Sequence, residues 1–261
     1  MIEMLSPPSP LGLFETILAI RGHCVLEAHH VERLRSSAEC LGLPTPSPVQ
    51  VSEFIRESAA LIGHLDEGVV RCSWFTESED PGDASRWKLE ASSGRLPALV
   101  STRRESGRVV VLDRSFVRAM PRFKMIGDPA RSLATHAIQR RGADEGLYID
   151  SSGNILEGAS TNVFAVDGAK LRTPPVAAGL LPGTVRAWVI ANAADAGYEV
   201  EEAPLRREDL LRSSFLTSSL TPIAAVRSVD GIATSGLDKR YRELVRLFES
   251  SADGAADRSS R

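Results

Sequence analysis

The chain has 261 residues, of which 43% are apolar, and a formal net charge of −3. That length suits one large domain or two smaller ones with a core deep enough to bury a cofactor, and the near-balanced charge leaves no electrostatic footprint for nucleic acid. Cys24, Cys40 and Cys72 form an odd set without C-x-x-C spacing. A disulfide framework or zinc site is therefore not expected, and a reducing cytoplasm is. The Pro-rich start has no basic-then-apolar leader, and no run approaches the roughly 18 apolar residues of a membrane span.

In chain order, Leu13–Ile20 is predicted as a strand and Glu27–Leu41 as a helix, because Val31, Leu34, Ala38 and Leu41 share one face and Gly42 and Pro44 stop it. A second helix is predicted over Val51–Ile62. Alternation predicts a strand at Val69–Phe75, the polar Glu77–Arg86 reads as a loop, and Arg108–Leu112 as a strand. Residues 1–112 thus read as a small α/β domain and 113–122 as a linker. In 123–249, Ala130, Leu133, Ala134, Ala137 and Ile138 make a helical stripe that Gly142 ends. Short strands follow at Gly146–Asp150, Ile155–Gly158, Asn162–Val166 and Lys170–Thr173, with Asp167-Gly168 as a hairpin signal. A helix over Thr184–Ala196 ends at Gly197. Strands near Tyr198–Glu202, Phe215–Ser218 and Ile223–Val229 precede a helix over Asp238–Glu249, and 250–261 reads as a disordered polar tail. The expected fold class is α+β, with the larger C-terminal domain rich in strands.

Two segments suit an anion. Leu180-Leu181-Pro182-Gly183-Thr184-Val185-Arg186 opens a helix at a glycine, where free N–H groups and the helix dipole favour phosphate. Phe215-Leu216-Thr217-Ser218-Ser219 ends a strand in hydroxyls. Each alone is equally compatible with an ordinary cap or turn. No P-loop or G-x-S-x-G elbow is present. His23, His29, His64 and His136 have no metal spacing, so no metal is expected. Lysine is scarce: Lys88, Lys124, Lys170 and Lys239 are the only ones.

The run Leu156-Glu157-Gly158-Ala159-Ser160-Thr161-Asn162-Val163-Phe164 resembles the signature of the class IV aminotransferases. The likeness continues through Leu171-Arg172-Thr173-Pro174-Pro175, Gly179 to Arg186, and Pro222 to Gly231. In the N-terminal half it covers Gly12-Leu13-Phe14-Glu15-Thr16 and Leu26 to Leu34. The blocks stand in order from about Leu11 to Gly231. The resemblance implies fold type IV of the pyridoxal 5′-phosphate (PLP) enzymes, with PLP as cofactor, a small amino-acid-like substrate, and a homodimer. It implies that Lys124 is the Schiff-base lysine and moves the substrate's α-proton. Glu157 would face the pyridine nitrogen and keep it protonated. Arg33, the main-chain N–H groups of Thr184 and Val185, and the Ser219 hydroxyl would hold the phosphate. After the lysine, Asp128-Pro129 replaces the family's common Asn-Tyr-like element.

The family contains aminotransferases and 4-amino-4-deoxychorismate lyase, and the same lysine serves both. The primary expectation is amino transfer between an amino acid and a 2-oxo acid, with β-elimination of pyruvate as the alternative. A scaffold that has lost catalysis is the remaining reading, opposed by the intact Lys124, Glu157 and Arg33. A substrate carboxylate needs an arginine or a nest of N–H groups. Arg86, after the Gly82-Asp83-Ala84-Ser85 loop, is the first candidate. Arg71, in the Val69–Phe75 strand, is the second.

Overall fold

A ten-residue strand, β1 (Leu11–Ile20), is buried on both faces and organises the first part of the chain. It is followed by β2 (His23–Cys24), α1 (Glu27–Cys40), α2 (Pro48–Ala60), β3 (Glu67–Thr76) and β4 (Lys88–Arg95). The computed structural model describes residues 10–258; the Pro-rich start at 1–9 and the end of the expected tail, 259–261, lie outside the described residues. The described chain divides into two compact units. The first runs through Arg95 and includes Phe123–Asp128; the second comprises Leu96–Arg122 and Pro129–Asp257. The division thus falls earlier than the expected boundary after Leu112, and the Lys124 segment belongs with the first unit rather than with the C-terminal domain.

In the first unit the strands form an antiparallel sheet in the order β2-β1-β3-β4. β1 and β3 pair from Leu11 opposite Thr76 to Ile20 opposite Glu67. One sheet face, with Leu13, Ile17, Val70 and Cys72, packs on Val31 and Leu34 of α1 and Val51 and Ile55 of α2. α2 starts earlier than its apolar periodicity indicates, because Ser47 caps it and Pro48 fits its first turn. β4 has no counterpart among the predicted strands. It is an edge strand in which only Leu89 and Ala91 alternate with polar residues and Leu89 alone packs on the core, so the apolar alternation is too short to mark it. Residues Lys124–Ile126 lie along β1: Phe14 N–H donates to the Lys124 carbonyl at 3.0 Å and Ile126 N–H to the Gly12 carbonyl at 2.9 Å.

The second unit contains α3 (Ala98–Ser106), β5 (Arg108–Val111), α4 (Pro129–Arg140), β6 (Glu145–Ile149), β7 (Ile155–Gly158), β8 (Asn162–Asp167), β9 (Lys170–Thr173) and α5 (Thr184–Asn192). It continues with β10 (Glu199–Glu202), α6 (Arg207–Arg212), β11 (Ser214–Thr217), β12 (Ala224–Ala225), β13 (Ser228–Val229), β14 (Ile232–Ala233) and α7 (Lys239–Arg258). Two five-stranded sheets result, ordered β10-β9-β8-β11-β12 and β14-β13-β5-β6-β7. Val109, Leu147 and Ile155 of one meet Val163, Ala165 and Leu216 of the other in a shared core. On the opposite side of β8 and β11, Phe164 and Phe215 stack at 5.0 Å, and Tyr241 of α7 lies against Phe215. Trp188 of α5 meets Phe248 of α7 edge-on.

α3, α6 and the extension of α7 to Arg258 depart from the predicted elements. α3 and α6 are short and arginine-rich, with few apolar positions to show a helical period. The residues expected as a tail continue α7, where Ala252 is buried. Among the described residues no helix is long and apolar enough to cross a membrane.

α3 ends on Gly107 in the left-handed conformation, φ 54°. A Cβ there would stand 2.2 Å from the Ala225 carbonyl oxygen, and the Gly107 carbonyl accepts from Arg227 N–H at 2.9 Å. Both obstacles are backbone, so no side-chain rotation relieves them. Gly107→Ala is expected to lower stability by more than about 1–2 kcal/mol, the left-handed penalty alone, read as a lower urea midpoint. An unchanged midpoint would show that the turn relaxes freely.

Candidate active site

Three of the four lysines, Lys88, Lys170 and Lys239, are exposed, whereas Lys124 is half-buried. Its carbonyl is held by β1, and its Nζ lies 5.1 Å from the centroid of the Phe14 ring. The Arg71 guanidinium sits over the same ring at 3.9 Å. The first unit therefore gathers Lys124 and Arg71 around Phe14. Arg86 is placed differently: its side chain is 70% exposed and approaches Asp83 at 3.6 Å in its own loop.

Behind β1 the first unit buries a charge cluster that sequence reasoning passed over. Glu15 is 1% exposed and accepts Arg33 Nε at 2.8 Å and Nη2 at 2.5 Å, and His30 Nδ1–H at 2.7 Å. Burial, the largest single influence, raises the Glu15 carboxyl, but Arg33 and His30 together outweigh it and hold it well below the usual carboxylate range. Burial pulls His30 down, leaving it neutral, with its Nδ1–H directed at the carboxylate. Arg33 is thus fixed by a fork on Glu15 rather than swinging on the surface. Glu15 stands inside a motif block whose alternation signals only a strand, so nothing local marks it as charged and buried.

In the second unit Glu157, at the end of β7, is 3% exposed. Its carboxylate accepts from Arg118 Nη1 at 2.6 Å, from Leu181 N–H at 3.0 Å and, at a long 3.4 Å, from Asn162 Nδ2. Burial is the largest influence and, with a smaller push from Glu145, exceeds the opposing pull of Arg118 and Leu181, so the carboxyl is pushed up to about 7. Asn162 also donates to the Leu181 carbonyl at 3.0 Å. Its amide oxygen lies so near the start of α5 that a Cβ on Gly183 would come within 2.0 Å of it. The glycine at this helix start is therefore required by the approach of Asn162. Gly183 offers no side-chain cap to α5, and a helix start of that kind, here the one that Thr184 and Val185 open, favours an anion.

Across the sheet from Asn162 stands Thr217, the last residue of β11. Its hydroxyl is buried without a hydrogen-bond partner. Directly opposed strand residues project from the same sheet face, so this hydroxyl shares the face of Asn162. Ser219 lies just beyond, in a turn closed by Ser218 N–H donating to the Thr221 carbonyl at 3.1 Å and gripped by Arg104 at the Leu220 carbonyl. Between Glu157 and Asn162 the chain is tied by buried Glu145, which accepts from Ala159 N–H, Ser160 N–H and the Ser160 hydroxyl. The second unit therefore assembles a buried carboxylate, an uncapped helix start and an unsatisfied hydroxyl. It sets Glu157, through Leu181 and Asn162, beside the start of α5, which Thr184 and Val185 open. It adds Arg118, Asn162, Thr217 and Glu145, of which the sequence marks Asn162, in the signature, and Thr217, in the strand that ends in hydroxyls.

The family model described as amino-transferase class IV matches residues 12–229. A "Bifunctional aminodeoxychorismate lyase / D-amino acid transaminase" of Mycobacterium tuberculosis is 28% identical, over 93% of this chain and 95% of that protein. Among solved structures, the branched-chain amino acid aminotransferase of Escherichia coli has a TM-score of 0.81 at 26% identity, covering 94% of this chain and 86% of that one. A protein described as a hypothetical aminotransferase from Mycobacterium tuberculosis, in a PLP-bound form, has a TM-score of 0.80 at 25% identity, covering 94% and 88%. The α+β architecture is that of PLP fold type IV, as the sequence resemblance implies.

Glu15→Gln would take the carboxylate charge away from the buried Arg33 guanidinium. Breaking one side of such a pair costs about 3–5 kcal/mol, so the urea midpoint at pH 7 is expected to fall accordingly. Because the folded-state value of Glu15 lies below its ordinary 4.5, its contribution is fully present above that pH and is lost as pH falls toward the depressed value. The stability gap between wild type and variant should therefore narrow below about pH 4.5. A gap that is small at pH 7, or constant with pH, would show that Glu15 is not the counter-ion of Arg33.

Proposed function

The chain belongs to the class IV aminotransferase family, enzymes whose cofactor is PLP, and from that premise we propose that it moves an amino group between an amino acid and a 2-oxo acid, with Lys124 bonding the cofactor. The observation that carries the reading is the second unit's arrangement: buried Glu157 joined through Asn162 to the uncapped start of α5 and to the unpartnered Thr217 hydroxyl. A carboxylate for a protonated ring nitrogen and donors for a phosphate are what PLP requires, so the residues present fit it. When bound, the cofactor supplies a sink for electrons left at the substrate's α-carbon.

The chain's own residues then divide the work. Lys124 Nζ would hold the cofactor's carbonyl carbon and would move the substrate's α-proton. Glu157 keeps the ring nitrogen protonated. Arg33, presented rigidly by Glu15, and the N–H groups of Thr184 and Val185 hold the phosphate, with Ser219 and Thr217 adding hydroxyls. Arg71 takes the substrate carboxylate in preference to Arg86, since Arg71 shares the Phe14 ring with Lys124 while Arg86 approaches Asp83 in its own loop. Loss of pyruvate from aminodeoxychorismate is the second reading, favoured by a relative of matching length whose name carries both activities. A homodimer is the proposed assembly, for which exposed Val117, Met120 and Leu133 offer apolar surface. The free Cys24, Cys40 and Cys72 agree with the cytoplasm as its compartment.

Borohydride reduction of the PLP form followed by peptide mapping is expected to place the adduct on Lys124, and Lys124→Ala to abolish turnover in a folded protein. An adduct on Lys88, Lys170 or Lys239 overturns the assignment. Incubation with amino acids and 2-oxo acids, beside incubation with aminodeoxychorismate, separates the two reactions: new keto acid without aminobenzoate supports transfer, and aminobenzoate with pyruvate supports the lyase. Arg71→Lys should raise KM about tenfold or more, the worth of a lost charge-assisted fork at roughly 1.5–3 kcal/mol. Arg86→Lys should leave KM unchanged, and the reverse pattern would move the carboxylate site to the loop.

A further inference from the structure

Glu157 is a carboxylate with almost no water, and the cation that meets it comes from outside the signature. Arg118 stands on the segment between β5 and α4, far from Glu157 in sequence, yet its Nη1 reaches Glu157 Oε1 at 2.6 Å with both side chains nearly enclosed, 10% and 4% exposed. The same guanidinium nitrogen also donates to the Pro121 carbonyl at 3.4 Å, which ties it to its own loop. The other groups around Glu157 are the Leu181 N–H, the Asn162 amide and, from β6, the acidic Glu145. Two of these are neutral, and the third is an acid that works against ionisation.

We propose that Arg118 is a positioning residue for the reaction: its guanidinium holds Glu157 ionised and aimed, so that the carboxylate pairs with the protonated nitrogen of the cofactor ring. The proposal rests on the PLP reading above. A buried carboxylate ionises only if an opposite charge compensates its lost hydration. Here burial already pushes the Glu157 carboxyl up to about 7, with Arg118 the leading influence in the other direction. Removing the guanidinium leaves the desolvation and the Glu145 charge opposed only by the neutral donors Leu181 N–H and, at a long distance, the Asn162 amide. Glu157 then stays protonated through neutral pH and offers the ring nitrogen no negative charge. An arginine suits this role because it remains charged when buried, where a lysine ammonium more readily gives up its proton.

The test compares two probes on the apoprotein: PLP, and the PLP analogue in which the ring nitrogen is replaced by C–H. An ionised Glu157 favours the first and is penalised against the second, so the ratio of the two affinities reports its charge without turnover. In wild type the preference for PLP should rise with pH, with a midpoint near 7. In Arg118→Met the midpoint should move up by roughly 1–3 pH units, the usual effect of a neighbouring arginine on a carboxylate. At pH 7.5 the preference should then fall with the ionised fraction of Glu157, about threefold for a one-unit shift and about twentyfold or more for two units. Arg118→Lys, which keeps a cation and guards against a misfolded methionine variant, should shift the midpoint by clearly less. A merely structural role would weaken both probes equally. Equal weakening, or an unmoved midpoint in Arg118→Met, overturns the proposal, as does a lysine variant that shifts fully in a chain that still melts cooperatively. Failure of the PLP reading itself is distinct: wild type would then bind neither probe.

Discussion

A carboxylate taken out of water must be matched by donors and cations brought from elsewhere in the chain, and both units of this protein are built around that demand. Glu15 and Glu157 are almost equally inaccessible, yet they end in opposite states. Glu15 receives two arginine N–H groups and an imidazole N–H, which more than offset its desolvation, and it is held strongly acidic. Glu157 receives one guanidinium N–H and one backbone N–H at good distances, and these fall short, so its carboxyl is pushed up to about 7. The fully compensated group locks an arginine in place. The under-compensated group is left with capacity for one more positive partner, which is how a carboxylate serves a protonated ring.

The approach geometry around Glu157 follows from the same demand. Asn162 reaches Glu157 and Leu181 only because Gly183 has no side chain where the amide lies. That contact sets the start of α5 beside the start of β8, while pairing of β8 with β11 sets Thr217 opposite Asn162. The loop joining β7 to β8 is held from behind by Glu145, which satisfies two of its N–H groups and a hydroxyl. Glu157, Asn162 and Glu145 thus each meet partners on other segments of the chain, and strands packed on two sides supply the rigidity.

The elements most visible in the sequence are those whose burial writes a period into it. α1, β3 and the β7-to-β9 run each follow apolar repeats or turn residues, and their observed bounds lie within a residue or two of the predicted ones. β4, α3 and α6 do not, because an edge strand and short arginine-rich helices bury too few side chains to impose one. α7 likewise runs on past Glu249 although that stretch reads as a polar tail, and Ala252 in the extension is buried.

By itself, the sequence determined the family, the α+β class and the local chemistry of the signature: a glutamate before a glycine, a helix opening on Gly183, and one lysine in the matching position. These are statements about neighbouring residues, and backbone geometry makes them local. Only the tertiary structure decided which cation meets which carboxylate. Arg118 with Glu157, and Arg33 and His30 with Glu15, join residues well separated along the chain. An isolated arginine reads as a solvated surface residue because most arginines are, and nothing in its neighbours reveals that the folded chain has removed the water around it. The division between the two units was hidden for the same reason. Phe123–Asp128 joins the first unit through hydrogen bonds to β1, and pairing at that distance leaves no trace in the local pattern.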